Sequence, residues 1–336
     1  MMCLRVALCF ILPAVLCTSF FNQTEVLFKQ WMKEHNKQYG DAEEYNYRLK
    51  IFLDSMMKVE QHNVGQHTYT LGLTQFSDLT FEEFSAQYLI NAPQHCSATK
   101  KGSYRSTGGE IPRAVDWRKK GVVSPVKDQG KCGSCWTFST TGAMEAHTAI
   151  KYNDHLILSE QQLIDCAQDF DNHGCAGGLP SHAFEYIHYN PGLMTEDDYP
   201  YTAKEKRCKF EKSKAKAFVA DIVNITQGNE DELRDAVANA GPVSIAYQVV
   251  DDFRLYKSGI YMSDKCKDGP MDVNHAVLVV GYDEKIGNEG RSIPYWIVKN
   301  SWGEKFGMDG YFWMIAGRNM CGMAVCNSYP LVSDKP

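Results

Sequence analysis

Positive charge is in short supply in this sequence. The 336 residues carry 35 Lys and Arg against 41 Asp and Glu, which gives a formal net charge of -6, and no long block of one sign occurs. A nucleic-acid-binding surface needs a basic patch, so the composition argues against a nucleic-acid partner. With 44% hydrophobic and 23% charged residues, the chain has the composition of a globular protein long enough for two packed units and an additional segment.

Long apolar runs are also scarce. Arg5 precedes an apolar run from Val6 to Leu16 that ends in small residues at 17–19, a pattern typical of a signal peptide over residues 1–19. A buried amino-terminal helix is the alternative interpretation. No later stretch reaches the roughly 20 apolar residues of a membrane helix. We therefore expect a soluble protein of the secretory pathway, with no membrane partner.

The cysteines are odd in number once the signal segment is set aside. Of the 12 cysteines, three lie in that segment: Cys3, Cys9 and Cys17. Nine remain in a chain sent to an oxidising compartment, so one is expected to be a working thiol. Cys132-X-X-Cys135 alone could be a redox pair or half a zinc site, but no second Cys-X-X-Cys follows and Cys321 and Cys326 stand five apart. We expect no metal site.

The amino-terminal region up to about residue 109 predicts helices and then a linker. From Thr24 to Asn63 the sequence is polar and helical in period, and six residues recur on one helix face: Glu44, Arg48, Phe52, Ser55, Val59 and Asn63. That face either packs against another element through fixed ion pairs or is simply solvated. A short helix is predicted near Thr80 to Tyr88. The segment from Ser97 to Gly109, rich in Gly, Ser, Thr and Lys, predicts an exposed, cleavable linker.

The remainder of the chain indicates an α+β fold of two lobes with a cleft between them. Helices are predicted over Cys135 to Tyr152, after a capping box of Ser159 with Gln162, and over Leu179 to Tyr189. The short β-branched or aromatic runs that predict strands are Val243 to Val249, Ala276 to Tyr282, Tyr295 to Lys299 and Tyr311 to Ile315. There is no internal repeat. Of two glycosylation sequons, at Asn22 and Asn224, only Asn224 lies well clear of the signal boundary.

The chemistry-bearing residues occur in three short stretches. Gln129-Gly130-Lys131-Cys132-Gly133-Ser134-Cys135-Trp136 comes first, and Asn274-His275-Ala276 and Lys299-Asn300-Ser301-Trp302-Gly303 follow far downstream. A thiol attacks an amide only as thiolate, and a cysteine at a helix amino terminus beside an imidazolium has a lowered pKa. Cys135 would meet both conditions if it opens the predicted helix and His275 lies beside it. His275 would then protonate the leaving amine.

This signature, in the order Cys, His and Asn, resembles that of the papain-like cysteine peptidases. The resemblance extends over most of the chain, including Asp116-Trp117, and implies a papain-like fold, peptide and protein substrates, and no cofactor. It also implies that Asn300 orients His275 while Trp302 shields their bond. Gln129 and the backbone N–H of Cys135 would form the oxyanion hole.

The resemblance further implies a substrate-binding loop and a set of disulfides. Gly174-Cys175-Ala176-Gly177-Gly178 is similar to the family loop whose backbone binds extended substrate, with Gly177 and Gly178 allowing close approach; a plain loop is the alternative. The implied bridges are Cys132–Cys175, Cys166–Cys208 and Cys266–Cys321. Cys96 and Cys326 are left over.

That remaining pair points to one group within the family. Pro93-Gln94-His95-Cys96-Ser97-Ala98-Thr99 resembles the mini-chain of the cathepsin H group, a remnant held by a disulfide, here Cys96 to Cys326. Such a remnant would block part of the cleft, and a Thr99 carboxylate would hold the free ammonium of a substrate, which makes an aminopeptidase. The sequence departs from the group at Ala92 and His95. The alternative is that Cys96 merely tethers the propeptide.

Together these features predict a zymogen with a signal peptide over 1–19, a propeptide over 20–110 that contains the mini-chain 92–99, and a mature peptidase over 111–336. Its own propeptide is expected to inhibit it, and family resemblance adds cystatin-type inhibitors, a monomeric state and a lysosomal or secreted location. Two alternatives stay open: an endopeptidase with an open cleft, and a catalytically silent peptidase-inhibitor protein.

Overall fold

The computed structural model describes residues 14–287 and 290–334. Residues 1–13 of the predicted signal peptide lie outside these ranges. The chain divides into two compact units, of which the first holds the residues up to Phe84 with Val250–Gly259 and the second holds Ser85–Val249 with the residues from Ile260 onward. Within the described ranges, no helix combines the length and apolar character that a bilayer crossing requires.

The first unit is built on two long helices. Helix α1 (Ala14–Glu34) and helix α2 (Ala42–Val64) are followed by strand β1 (Tyr69–Leu71) and by the start of helix α3 (Phe81–Tyr88). The aromatic side chains Phe28, Trp31 and Phe52 are buried together and form the core of this unit. Large aromatic side chains bury much apolar surface, so this cluster contributes substantially to the hydrophobic stabilisation of the unit.

One face of α2 makes the specific contacts. Phe52 and Ser55 are buried, Arg48 pairs with Glu83 at 2.7 Å, and the Asn63 amide exchanges hydrogen bonds with the backbone of β1. The predicted common face of α2 is confirmed. It packs against other parts of the first unit and is not simply solvated.

The segment Val250–Gly259 is bound to the amino-terminal elements of this unit. Strand β5 (Tyr256–Tyr261) begins here and pairs antiparallel with β1. The Arg254 guanidinium donates to Ser55 Oγ at 3.3 Å and to the Phe76 carbonyl at 3.1 Å. A segment from late in the sequence thus completes the fold of the amino-terminal region.

Among the described residues, the second unit contains four complete α-helices. They are α4 (Cys135–Tyr152), α5 (Glu160–Cys166), α6 (Pro180–Tyr189) and α7 (Glu230–Asn239). Most of α4 is buried, which fits its many small residues. The Ser159 hydroxyl accepts from Gln162 N at 3.0 Å and caps α5, as predicted. Helix α7 was not predicted.

The sheet of the second unit lies beside these helices. Its strands are β2 (Val115–Asp116), β3 (Phe218–Asn224), β4 (Val243–Tyr247), the end of β5, β6 (His275–Ile286), β7 (Ser292–Lys299), β8 (Tyr311–Ile315) and β9 (Ser328–Ser333). The order is β5-β8-β7-β6-β4-β9-β3, with β2 paired to β6. The first eight residues of β6 are all buried, as expected for an apolar central strand covered on both faces.

The expectation of an exposed linker over Ser97 to Gly109 is only partly right for residues 97–104, where exposed and buried residues are mixed. Thr99 is 2% exposed and Tyr104 is 7% exposed, whereas every residue from 105 to 114 is exposed. The first part is held by hydrogen bonds, including one from Gln227 N to the Thr99 carbonyl at 2.9 Å. Composition indicated a loop, but it did not reveal that part of this loop is packed.

Candidate active site

Cys135 is the first residue of α4 and is fully buried. It is the free cysteine of the described residues. The backbone N–H of Ala276, next to His275 at the start of β6, donates to its Sγ at 3.3 Å. The helix amino terminus and β6 therefore bring together the predicted nucleophile and the strand that carries the predicted base.

His275 is oriented through its Nε2 atom, which lies 2.8 Å from Asn300 Oδ1. The same Oδ1 accepts from the backbone N–H of Ser301 at 2.8 Å, so this oxygen is an acceptor and Nε2 of His275 must donate. Nδ1 of His275 is buried and has no hydrogen-bond partner among the described residues. Trp302 stacks on the imidazole with ring centroids 4.6 Å apart. The ring thus keeps Nδ1 as the atom that can accept a thiol proton.

Both polar atoms of the Gln129 side-chain amide are hydrogen-bonded. Its Nε2 donates to the Tyr88 and Cys132 carbonyls, each at 2.8 Å, and its Oε1 accepts from the Ser301 hydroxyl at 2.7 Å. Ser301 fixes the direction of the amide, so that Nε2 points toward a carbonyl oxygen. Ser301 lies within the Asn300–Gly303 stretch, but its position in the sequence indicated no role for its hydroxyl.

A short chain segment, residues 88–92, occupies this site, and we call it the cleft segment. Its Ile90 N–H donates to the Asn274 carbonyl at 2.8 Å, and the next two amides both donate to the Ala176 carbonyl at 2.9 Å. Gly177 lies so close to Ile90 that an added Cβ would be 2.4 Å from its Cγ2 atom, while the same addition at Gly178 would meet Trp136 at 2.8 Å. The glycine loop therefore binds extended chain, here the protein's own.

Burial shifts both reactive groups toward their neutral forms. It raises the pKa of the Cys135 thiol to about 12, although backbone N–H donors such as that of Ala276 act in the opposite direction. It also lowers the pKa of His275 to about 4, against the effect of the Asn300 hydrogen bond. In this covered form the site accordingly holds a thiol and a neutral imidazole at neutral pH.

Four disulfides occur among the described residues, and they join the same pairs that the sequence analysis inferred: Cys96–Cys326, Cys132–Cys175, Cys166–Cys208 and Cys266–Cys321. Cys132–Cys175 connects the loop before α4 with the glycine loop. No cluster of three or more His, Cys, Asp or Glu side chains in the described ranges is arranged to hold a metal ion.

Two predicted site residues lie apart from this constellation. Thr99 donates through its hydroxyl to the Val325 carbonyl at 2.6 Å and to the Cys96 carbonyl at 3.0 Å, and its carbonyl accepts from Gln227 N, so these hydrogen bonds hold it on residues outside the glycine loop. Asn224 is the last residue of β3, is partly buried, and has its backbone paired with Ser103 and Tyr104. Its glycosylation stays a prediction.

A buried ionic cluster near Asn300 was not anticipated. Lys127 Nζ donates to Glu145 at 2.8 Å and to Glu160 at 2.6 Å, and Lys299, the residue before Asn300, donates to Ser124 at 2.9 Å. The sequence spacing of Lys127, Glu145 and Glu160 corresponds to no motif, so the sequence alone did not indicate this cluster.

Comparison with known proteins places this site in a family. The family described as "Papain family cysteine protease" matches residues 111–331, and the "Cathepsin propeptide inhibitor domain (I29)" matches residues 28–84. A Mus musculus relative named "Pro-cathepsin H" is 54% identical over 305 residues, which cover 90% of each chain. A Medicago truncatula relative of the same name is 53% identical and covers 92% of this chain and 86% of its own.

Solved structures agree with the sequence relatives. Digestive procathepsin L 3 of Tenebrio molitor larval midgut superposes with a TM-score of 0.83 at 38% identity, covering 91% of this chain and 98% of that chain. The recombinant stem bromelain precursor superposes with a TM-score of 0.81 at 34% identity. The fold is therefore the predicted papain-like fold, and the chain belongs to the papain family of cysteine proteases, with an inhibitor domain of the cathepsin propeptide type.

Proposed function

We propose that this cysteine peptidase zymogen matures into an aminopeptidase of the cathepsin H type with limited endopeptidase activity. The observation that supports this is the Cys96–Cys326 disulfide, which attaches the predicted mini-chain, residues 92–99, to the peptidase region. Relatives named "Pro-cathepsin H" support the same assignment. A segment that stays attached after processing would occupy part of the cleft and exclude long substrates.

The proposed chemistry uses the residues grouped around Cys135. The Cys135 thiol transfers its proton to Nδ1 of His275, and the thiolate attacks the scissile carbonyl carbon. The oxygen of the tetrahedral intermediate accepts from Gln129 Nε2 and from the Cys135 backbone N–H. His275 returns the proton to the leaving amine as the C–N bond breaks, and water then releases the acyl group. Asn300 and Trp302 hold the imidazole throughout.

Selectivity for free amino termini is proposed to come from Thr99. A cut after Thr99 would create a carboxylate, and a charge-assisted bond from this carboxylate to the substrate ammonium contributes about 1.5 to 3 kcal/mol. Because Thr99 of the uncut chain is bonded to Gln227 N and the Val325 carbonyl, it must leave these partners first. Gly177 and Gly178 would bind the substrate backbone once the cleft segment has gone.

The remaining assignments complete the proposal. The signal peptide spans 1–19, the propeptide spans 20–110 and the mature enzyme spans 111–336, with a glycan on Asn224. The mature enzyme is a monomer that works in the lysosome or outside the cell, and cystatin-type proteins inhibit it. The match to the cathepsin propeptide inhibitor domain over residues 28–84 supports self-inhibition.

The test compares substrates with free and with blocked amino termini. We expect the matured enzyme to prefer free amino termini by at least about tenfold, which corresponds to the lower end of one charge-assisted bond. The variant Cys96→Ser/Cys326→Ser is expected to lose this preference and keep its activity on blocked peptides. Equal turnover of both substrates by the natural enzyme would show an open-cleft endopeptidase instead. Failure of a thiol-reactive epoxide to label Cys135 after acid processing would show a silent inhibitor protein.

A further inference from the structure

The solvent exposure of the residues changes abruptly along the chain just before the peptidase region. Tyr104 is 7% exposed and Val115, the first residue of β2, is 7% exposed, yet all ten residues from 105 to 114 are exposed. This is the longest exposed run in the described part of the chain. Proteases cut where the chain is exposed and can open locally, so this segment is the most accessible cutting site.

The residues directly before it are held in place. The Thr99 carbonyl accepts from Gln227 N at 2.9 Å, and the amides of Ser103 and Tyr104 both donate to the Asn224 carbonyl, at 2.6 and 3.0 Å. Ser103 Oγ in turn accepts from Asn224 N at 2.9 Å. Residues 99–104 therefore remain docked on the peptidase unit while the next ten residues are open to attack.

A cut in the exposed run would leave the cleft segment connected to the enzyme. That segment ends at Ala92, whose N–H donates to the Ala176 carbonyl at 2.9 Å, and Cys96 is disulfide-bonded to Cys326. The tether point, Cys96, is only four positions after Ala92 in the chain. A flexible chain of that length spans about 11 Å on average, so the segment would stay near its site at an effective concentration on the order of millimolar.

We propose that uncovering the cleft requires two cuts and passes through a latent two-chain form, and that the cut after Thr99 assigned above to selectivity is a separate, later trimming step. The first cut hydrolyses a peptide bond within 105–114, with one water giving a new carboxylate and a new ammonium, and the cleft stays covered. The second cut hydrolyses a bond between Asn91 and Cys96, at or just after the predicted start of the mini-chain, in the same way. It separates the cleft segment from the disulfide, so that this segment can dissociate. The inference rests on the proposed retention of the Cys96 peptide, and the order of cuts follows from the exposure of 105–114.

The experiment controls each cut separately. A recognition sequence for a site-specific protease is inserted after Thr107 of the full chain, in a His275→Ala background that prevents self-processing. The matched control carries the same insertion with Cys96→Ser/Cys326→Ser, and a third chain keeps the disulfide but carries the recognition sequence between Pro93 and Gln94. The readout is the rate at which iodoacetamide alkylates Cys135, measured by mass spectrometry after cutting and dilution.

The three chains are expected to behave differently. After a cut at 107 and about a thousandfold dilution, alkylation in the disulfide-bonded chain should change by less than about twofold, whereas in the serine control it should rise at least about tenfold. Alkylation of Cys135 in the chain cut between Pro93 and Gln94 should also rise at least about tenfold. A rise in the disulfide-bonded chain equal to that of the serine control would overturn the proposal, as would unchanged alkylation in either of the other two. Aminopeptidase selectivity is measured separately on fully matured enzyme, so either proposal can fail alone.

Discussion

In the proposed mechanism, Cys135 and His275 are inert in the zymogen and become reactive in the mature enzyme. Burial raises the pKa of the thiol to about 12 and lowers that of the imidazole to about 4, so neutral forms prevail while the cleft segment is in place. When water returns to the cleft, the desolvation cost falls for both charges at once. The proton can then move from sulfur to Nδ1, and the helix amino terminus and the imidazolium both stabilise the thiolate.

A second buried histidine, His147, makes stability depend on pH. Its Nε2 lies 2.9 Å from the Pro242 carbonyl, and burial lowers its pKa to about 4 from the ordinary value of 6.5. The unfolded chain therefore binds a proton between pH 6.5 and 4 that the folded chain excludes, so stability falls as the pH falls through this window. In a Cys135→Ala background, His147→Gln should lessen the loss of unfolding free energy between pH 7 and pH 4.5 by about 2 to 3 kcal/mol.

Urea unfolding at the two pH values measures this difference. His155→Gln is the matched control, because His155 is an exposed histidine three residues beyond the end of the same helix, and its substitution should leave the pH dependence unchanged. Equal pH slopes for the parent protein and His147→Gln would contradict the assignment.

At the scale of elements, the Lys127 cluster joins α4 to α5. Glu145 on α4 and Glu160 on α5 are 2% and 1% exposed, and both accept from Lys127 Nζ. Removing the shared cation would leave two carboxylates buried without their partner. Lys127→Met should therefore lower the free energy of unfolding by about 3 to 5 kcal/mol, as measured by urea unfolding in the Cys135→Ala background.

An exposed ion pair of similar length provides the control. Lys214 and Glu211 are 2.8 Å apart, with side chains 42% and 55% exposed. Lys214→Met should change stability by less than about 1 kcal/mol, because water solvates the remaining carboxylate. Similar losses for the two variants would show that the Lys127 cluster contributes no more than a surface pair.

Elements with strong periodicity or caps could be predicted from the sequence, and others could not. Helix α4 and strand β8 have the predicted bounds, and α5 begins after its predicted cap. Strand β3 lacks a clean alternation of buried and exposed residues, and β9 contains Pro330, which argues against a strand unless the position is special. Tertiary pairing between β3 and β9 determines these elements, and a local pattern does not report it.

The features of the candidate site were likewise only partly predictable from the sequence. Cys135, His275, Asn300, Trp302 and Gln129 were predicted by motif, and the structure brings them together. The sequence predicted that the propeptide, from about Phe20 to Asn91, covers the cleft. It did not identify residues 88–92 as the part that contacts the glycine loop, because those contacts depend on the chain path and not on local composition. The long-range pairing of the cysteines was available only through family resemblance.

At the scale of the whole molecule, the two units differ in how they are cross-linked. Among the described residues, all four disulfides lie in the second unit, and they close loops with sequence separations of 42, 43, 55 and 230 residues. Each such bridge typically contributes about 2 to 4 kcal/mol, chiefly by restricting the unfolded chain. The first unit depends instead on the aromatic core of Phe28, Trp31 and Phe52.

This difference predicts that the first unit unfolds before the second. In native-state hydrogen exchange on the Cys135→Ala zymogen, amides of α2 and β1 should exchange at lower urea concentrations than amides of α4 and β6, because no bridge limits the entropy gained by opening the first unit. Cys266→Ser/Cys321→Ser removes one bridge of the second unit, so it should lower the protection of β6 and leave that of α2 unchanged. If the amides of α2 and β1 and those of α4 and β6 exchange at the same urea concentration, the zymogen opens as a single cooperative body. The disulfides would then stabilise the amino-terminal helices as much as the peptidase.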